Sequence, residues 1–136
     1  MTEVGLIVRD DWGFSIGYSP DGLVGDVGLI EIKSRRPKNH LLTILAGESG
    51  EVPAENMAQI QCGLLVSNRS WCDYISYAGG MKLWRKRIYP DPDWQGAIVG
   101  AVAAFETAAA EMVATYTERT AGLPATERNT YDMEIV

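Results

Sequence analysis

The sequence predicts an α/β (α+β) domain in which a mixed central sheet of about five strands is flanked by helices. Two observations predict this class. Short segments rich in β-branched residues alternate with turns, and two longer segments carry apolar residues at helical spacing. The segments follow one another in the order β-β-β-α-β-β-α. A chain of 136 residues is long enough for one core, which we expect over residues 1–120, with a tail at 121–136.

Five segments have the composition of strands, and turn residues separate the first three. Asp10-Asp11-Trp12-Gly13 separates the first two and predicts a hairpin. Ser19-Pro20-Asp21-Gly22 forms the next turn, since proline fixes φ and glycine admits positive φ. The predicted strands are residues 4–9, 14–18, 27–33, 70–77 and 82–89.

Two segments have the spacing of helices. Residues 54–67 follow a proline, which suits a first helical turn, and Asn68 is a residue type that ends helices. Residues 93–119 follow Asp91-Pro92, a helix-starting pair, and repeat apolar residues every three or four positions. Residues 34–52 have a polar composition, which predicts a long connection without regular structure.

Composition excludes several classes of protein. The chain is 46% apolar and 22% charged, which is ordinary for a globular domain and unlike a disordered one. It has no run of about 18 apolar residues and no basic, apolar N-terminus, so we expect neither a membrane partner nor a signal peptide. Cys62 and Cys72 are too few for a disulfide framework, which predicts free thiols and a cytoplasmic location.

The charge is unevenly distributed. The net charge is −6, but it divides into −5 over residues 1–32, +5 over 33–90 and −6 over 91–136. The overall acidity argues against a passive, charge-driven nucleic-acid coat, while the basic middle offers a phosphate-binding surface. That middle contains two basic groups, and a protected sheet edge explains the second equally well. The two groups are Lys33, Arg35, Arg36 and Lys38, and Lys82, Arg85, Lys86 and Arg87.

The stretch from Ser19 to Lys33 is the most informative for chemistry. Asp21 lies in a turn, and Glu31 and Lys33 share one face of an otherwise apolar strand. Two carboxylates meeting at a strand end suit Mg²⁺ or Mn²⁺, and a nearby lysine can orient a water and neutralise phosphate charge. Alternating apolar and charged residues also fit a surface ion pair on a solvated strand, and periodicity alone favours that interpretation.

Three motifs together resemble the lambda-type phage exonucleases, also called YqaJ-like viral recombinases, of the PD-(D/E)xK nuclease superfamily. The motifs are Tyr18-Ser19-Pro20-Asp21-Gly22-Leu23, Leu29-Ile30-Glu31-Ile32-Lys33 and Met57-Ala58-Gln59-Ile60-Gln61. The resemblance covers roughly residues 2–115. It implies a restriction-endonuclease-like core and an enzyme that hydrolyses double-stranded DNA ends from 5′ to 3′ with Mg²⁺ or Mn²⁺. It also implies work in phage recombination, in the host cytoplasm.

The resemblance assigns a role to each matching position. Asp21, Glu31 and the backbone carbonyl of Ile32 would hold the metal, and Lys33 would be the catalytic lysine. Gln59 would help to hold the water or the lysine, although a helix-surface amide is the simpler interpretation of a lone glutamine. Three residues after the strand, Ser34, Arg35 and Lys38, are expected to meet the DNA backbone because of their charge and position.

The resemblance also has implications for partners, and the chain departs from the family at its N-terminal side. The resemblance implies a homo-oligomer, as a trimeric ring around DNA, and a single-strand annealing protein as a further partner. Family members carry a helical segment before the hairpin, whereas this chain begins almost at the hairpin. The alternative expectation is therefore a truncated, non-catalytic or partner-dependent subunit of nuclease fold that keeps metal or DNA binding. His40, the single histidine, is expected in a loop.

Overall fold

A four-stranded mixed sheet and three helices form the body of the molecule, which is a computed structural model describing residues 1–48, 50 and 52–127. A two-stranded hairpin precedes the sheet. The elements in chain order are β1 Ile7–Arg9, β2 Ile16–Tyr18, β3 Gly22–Val24, β4 Gly28–Ser34, α1 Pro37–Glu48, α2 Ala54–Ser67, β5 Trp71–Tyr77, β6 Trp84–Ile88 and α3 Pro92–Arg119. The predicted mixed α+β class is confirmed, but the strands divide between two sheets instead of forming one.

The order of strands in the sheet is β3-β4-β5-β6, with β4 and β5 parallel and the outer pairs antiparallel. The parallel pair needs a crossover connection, and α1 and α2 supply it. In this register Glu31 lies beside Tyr74 and Lys33 beside Ser76, at the carboxyl end of β4. The sheet therefore presents the charged residues of β4 on one face, toward the helices.

The core joins β4, α2 and β5. Its least accessible residues are at most 1% exposed, and each such side chain contributes roughly 1.5–3 kcal/mol through burial. They are Leu29, Ile60, Leu64, Cys72 and Tyr74. This packing fixes α2 over the strand that carries Glu31 and Lys33.

The prediction of a polar connection over residues 34–52 is wrong, because α1 occupies most of it. The two buried residues of α1, His40 and Thr43, are polar, while Leu42 and Leu45 are each 54% exposed. The apolar pattern of this helix is thus the reverse of the amphipathic pattern that indicates a helix. The short strand β3 lies where only a turn was predicted.

Local signals placed α2 and α3 correctly. The α2 helix ends where Asn68 adopts a left-handed conformation with φ of 54°, as predicted. Asp91 caps α3, because its side-chain oxygen accepts hydrogen bonds from the backbone N–H groups of Asp93 and Trp94. The end of α2 and the start of α3 therefore rest on ordinary helix-end chemistry.

The α3 helix contacts the core only through its first half, where Ile98 and Val102 pack against it. Further along, Phe105 and Met112 are 67% and 72% exposed. Over an 18-residue window the helix has a mean hydropathy of 1.6. By length and composition alone, it is long and apolar enough to cross a membrane. The expectation that no segment meets this criterion was wrong, and none of this window is buried among the described residues.

The predicted boundary near residue 120 falls at the end of α3. Residues 121–127 of the expected tail follow in turn and irregular conformation. The remainder of that tail, residues 128–136, lies outside the described residues. The division into a core and a tail therefore stays a prediction.

Candidate active site

Glu31 is the centre of the candidate site, and it is buried. The residue is 1% exposed, and two donors hold its carboxylate. The hydroxyl of Tyr18 donates to Oε2 at 3.0 Å, and Nζ of Lys33 donates to Oε1 at 2.7 Å. A buried carboxylate requires such partners, because desolvation of an unpaired charge costs several kcal/mol. The interpretation of Glu31 and Lys33 as a pair on a solvated strand is therefore wrong.

Lys33 also contacts the helix above it. Its Nζ donates to Oε1 of Gln59 at 2.8 Å, in addition to its bond with Glu31. The lysine is partly buried, with 26% of its side chain exposed. Two acceptors on different elements thus fix the position of the ammonium group while leaving it in contact with solvent.

Asp21 lies on the solvent side of the same site. Its Oδ2 accepts a hydrogen bond of 2.6 Å from the backbone N–H of Ile32. Gly22 pairs with Ile30 in the antiparallel register of β3 and β4, so the next pair along is Asp21 and Glu31. The structure therefore brings together all the residues predicted for catalysis and metal binding: Asp21, Glu31, Ile32, Lys33 and Gln59.

The oxygen atoms at this point suit a hard divalent cation. Asp21 and Glu31 supply two carboxylates, and Ile32 supplies a carbonyl between them in sequence. Each carboxylate oxygen has two lone pairs, so the bonds from Tyr18 and Lys33 leave acceptor capacity on Glu31. Within the described part of the chain no group of three or more His, Cys, Asp or Glu side chains can hold a metal. Waters or substrate oxygens would have to complete the coordination, as is usual for Mg²⁺.

Two neighbouring groups keep their protons because of this environment. Burial, together with the charge of Glu31, raises the pKa of Tyr18 well above the ordinary 10.0, so the phenol remains a donor. Burial and the same carboxylate raise the pKa of Cys72 to about 12. Cys72 is therefore protonated at neutral pH. Because metal coordination requires the thiolate, this thiol acts as a packing residue and not as a metal ligand.

A glycine allows α2 to approach Tyr18. A methyl group at Gly63 would lie 2.5 Å from Cζ of the Tyr18 ring, so no larger residue fits without movement. Asn56, Gln59 and Gly63 are spaced at i, i+3 and i+7, which places them on one face of α2. That face meets Tyr18 and Lys33.

The three residues predicted to contact DNA have different environments. Ser34 is exposed at the end of β4, and Lys38 is exposed near the start of α1. The guanidinium of Arg35, in contrast, donates to Oδ1 of Asn56 at 2.6 Å and to the hydroxyl of Tyr74 at 2.7 Å. Arg35 thus turns partly inward, and its expected contact with the DNA backbone stays a prediction.

Sequence reasoning assigned no role to Tyr18, Asn56 or Tyr74. Tyr18 opens the first of the three motifs, and its position just before Ser-Pro-Asp was a signal that it belongs to the site. Asn56 lies one turn before Gln59 on the same helix face, and this spacing is a second signal in the sequence. Tyr74 carried no signal, because its proximity depends on how β4 and β5 pair.

His40 is buried in α1 and not in a loop as predicted. Its Nδ1 lies 2.8 Å from Oγ of Ser76, and its Nε2 lies 2.9 Å from the carbonyl oxygen of Lys82. A carbonyl can only accept, so Nε2 donates to it, and in the neutral ring Nδ1 is then the acceptor for the serine hydroxyl. The histidine therefore ties α1 to β5 and to the turn before β6.

Three of the four residues of the second basic group lie on the edge strand β6, and two of them are paired with Asp73. Arg87 donates to both carboxylate oxygens of Asp73, at 2.7 and 2.9 Å, and its guanidinium lies 3.6 Å from the centre of the Trp71 ring. These bonds lower the pKa of Asp73. An edge strand with paired and exposed cations fits the protected-edge interpretation.

Comparison with known proteins places this geometry in context. No protein-family model and no curated protein matches the chain. A crystal structure of an alkaline exonuclease, LHK-Exo from Laribacter hongkongensis, is 35% identical with a TM-score of 0.70, over 88% of this chain and 61% of the exonuclease. A crystal structure of LHK-Exo in complex with dAMP is 34% identical with a TM-score of 0.78, over 90% and 63% of the two chains.

The chain thus spans less than two thirds of the length of the exonuclease that it matches. The match nevertheless includes nearly all of the chain and is accompanied by identity at about one position in three. This chain therefore shares the fold of the part of an alkaline exonuclease that it matches.

Proposed function

We propose that this chain is a metal-dependent deoxyribonuclease that hydrolyses the phosphodiester bonds of double-stranded DNA ends. The convergence of Asp21, Glu31, Lys33 and Gln59 at one point carries the proposal. The likeness to an alkaline exonuclease supports the same reaction. Attack on a phosphodiester requires a polarised phosphate, an oriented water and a cation for the developing charge, and this site offers groups for each task.

Each side chain has a distinct task in this proposal. Asp21, Glu31 and the Ile32 carbonyl would hold Mg²⁺ or Mn²⁺, which when bound would polarise the phosphate and acidify water. Lys33, held at 2.7 Å from Glu31 and 2.8 Å from Gln59, directs its remaining N–H toward the water or the phosphate oxygen. Gln59 orients the ammonium, and Tyr18 keeps the carboxylate of Glu31 in place.

The substrate and setting follow from the family resemblance. We infer 5′-to-3′ degradation of linear duplex DNA in phage-type recombination, within the host cytoplasm. Ser34 and Lys38 contact the phosphate backbone next to the site, because Ser34 is exposed at the end of β4 and Lys38 is exposed just beyond it. The same resemblance supports a ring-shaped homo-oligomer and a single-strand annealing protein as partners.

Digestion of a 5′-phosphorylated linear duplex tests the proposal. Wild type should release nucleotides with Mg²⁺ and not with EDTA, while Lys33→Ala and Glu31→Gln should lose at least 100-fold in rate. Glu106→Gln, an exposed acid on α3, is the control for Glu31→Gln and should digest like wild type. Absence of Mg²⁺-dependent digestion by wild type would refute the proposal. Cleavage of closed circular DNA would indicate an endonuclease instead.

A second candidate function is a partner-dependent subunit that keeps the site but lacks turnover. The sheet favours it, because Ile32 and Tyr77 on the face away from α1 and α2 are 37% and 41% exposed. A further segment of a partner could cover that face. Titration calorimetry with Mn²⁺ should then show binding that is lost in Asp21→Asn, with no digestion. Digestion by the isolated chain would exclude this alternative.

A further inference from the structure

Arg35, Tyr74 and Asn56 form a closed polar triangle beside the candidate active site. The Arg35 guanidinium donates to Oδ1 of Asn56 at 2.6 Å and to the Tyr74 hydroxyl at 2.7 Å, and that hydroxyl donates to Asn56 Oδ1 at 2.8 Å. Tyr74 and Asn56 are 0% and 7% exposed. Three elements meet here: the residue after β4, the middle of β5 and the first turn of α2.

The triangle lies one helical turn from the contact between Gln59 and Lys33. Asn56 and Gln59 are three residues apart on α2, so they share a face of the helix. Tyr74 is the partner of Glu31 in the parallel register of β4 and β5. Any movement of the first turn of α2 away from β5 therefore also moves Gln59 away from Lys33.

We propose that Arg35 is a positioning residue: through Tyr74 and Asn56 it holds the start of α2 on the sheet, so that Gln59 remains bonded to Nζ of Lys33. The effect on hydrolysis rests on the proposed nuclease function, whereas the effect on the geometry of Lys33 does not. Nothing in the similarity to the exonuclease assigns this role.

The geometry favours this role over a phosphate contact. One terminal nitrogen of Arg35 already makes two hydrogen bonds, and its Nε is buried without a partner among the described residues. A guanidinium used in this way is not free to form a two-pronged contact with a phosphate. The adjacent Arg36 is exposed and carries the same charge, so it serves as a matched control.

The test observes Lys33 directly. The chain contains four lysines, so samples labelled with ¹³C-lysine give a simple spectrum, and loss of a signal in Lys33→Arg assigns Lys33 Cε. Arg35→Gln should shift that signal in the direction produced by Gln59→Ala. Arg35→Lys, which keeps the charge but not the planar fork, should shift it as well. Arg36→Gln should leave it in place.

Kinetics and affinity for duplex DNA separate the two roles. For a positioning residue, Arg35→Gln lowers kcat about tenfold with little change in KM, since small displacements of catalytic groups are costly. The salt dependence of DNA binding stays as in wild type. An unshifted Lys33 signal, or a salt slope reduced by about 1 as for a lost phosphate contact, would overturn the proposal.

Two further results keep the outcome clear. Tyr74→Phe removes only the shared hydroxyl, so it decides the question if Arg35→Gln does not fold. A shifted Lys33 signal in Tyr74→Phe supports the positioning role of Arg35. An unchanged signal overturns it. If wild type degrades no DNA, the nuclease proposal fails, yet the Lys33 signal still reports whether Arg35 positions it.

Discussion

Glu31 depends on its two donors because almost none of its carboxylate reaches water. A surface glutamate can exchange one partner for solvent, but a residue that is 1% exposed cannot. Tyr18 is the neutral donor of the pair, and its raised pKa keeps the proton in place. At the scale of single residues, the site is therefore a carboxylate held by an uncharged and a charged donor.

Replacing Tyr18 by phenylalanine tests this dependence. The change removes the 3.0 Å bond to Glu31 Oε2 and leaves a buried carboxylate oxygen without its donor. We expect a loss of about 2 kcal/mol in the free energy of unfolding at pH 7, measured by urea titration. Tyr116→Phe, on an α3 residue that is 69% exposed, should change stability by less than about 0.5 kcal/mol. Equal stability of both variants would contradict the argument.

Asp73 gives a pH-dependent contribution to stability. Hydrogen bonds from Arg87 lower its pKa in the folded state below the ordinary 3.8. The contribution of Asp73 to the free energy of unfolding is therefore fully present at pH values well above 3.8. As the pH falls below 3.8, the unfolded chain takes up the proton first, so the contribution is progressively lost down to the folded-state pKa.

Asp73→Asn should therefore be less stable than wild type at pH 7, with a difference that narrows as the pH falls from 7 through 3.8 and below. Urea unfolding across this range measures the difference. Asp26→Asn, an exposed aspartate before β4, is the control and should follow wild type throughout. If the difference in unfolding free energy between Asp73→Asn and wild type stays constant with pH, the Arg87 bonds do not act through the charge of Asp73.

At the scale of elements, the site depends on how closely α2 lies on β4. Gly63 permits that approach, and the bonds at Gln59 and Asn56 use it. Gly63→Ala should destabilise the protein by about 1–3 kcal/mol, because the added methyl meets the Tyr18 ring at 2.5 Å.

Gly100→Ala is the matched control, since it lies in α3 with no atom within 4 Å of the added methyl. It should raise stability by about 0.5–1 kcal/mol, the usual gain of alanine over glycine in a helix. Thermal unfolding of the two variants makes the comparison. A similar gain in stability in Gly63→Ala and Gly100→Ala would show that α2 does not need the close contact with Tyr18.

The elements also show which parts of the structure the sequence predicts. The bounds of α2 follow from chemistry within the chain, such as the left-handed Asn68 that ends the helix. The α1 helix was missed because contacts distant in sequence hold it: His40 bonds Ser76 and the Lys82 carbonyl. The same reason explains Arg35, whose partner Tyr74 is 39 positions away. The charge of Arg35 indicates a surface role, whereas its contacts with Asn56 and Tyr74 leave it partly buried.

At the scale of the whole molecule, the basic middle of the chain divides between two faces. Lys38 on α1 lies on the side of the sheet that carries the candidate site. Arg85 points to the opposite face, where it makes a weak pair of 3.5 Å with Asp73. A net charge of −6 conceals this arrangement, and only one of the two basic faces adjoins Glu31 and Lys33.

The salt dependence of DNA binding distinguishes these faces. Each phosphate contact contributes about 0.9 to the slope of log K against log salt concentration on duplex DNA, because bound cations are released. Fluorescence anisotropy with a labelled duplex in EDTA, between about 50 and 200 mM NaCl, measures this slope without hydrolysis. Lys38→Ala should flatten the slope by about 1, whereas Arg85→Gln should leave it unchanged. The reverse result would place DNA on the face that carries Asp73 and Arg87, away from the carboxylates, and would separate binding from the proposed chemistry.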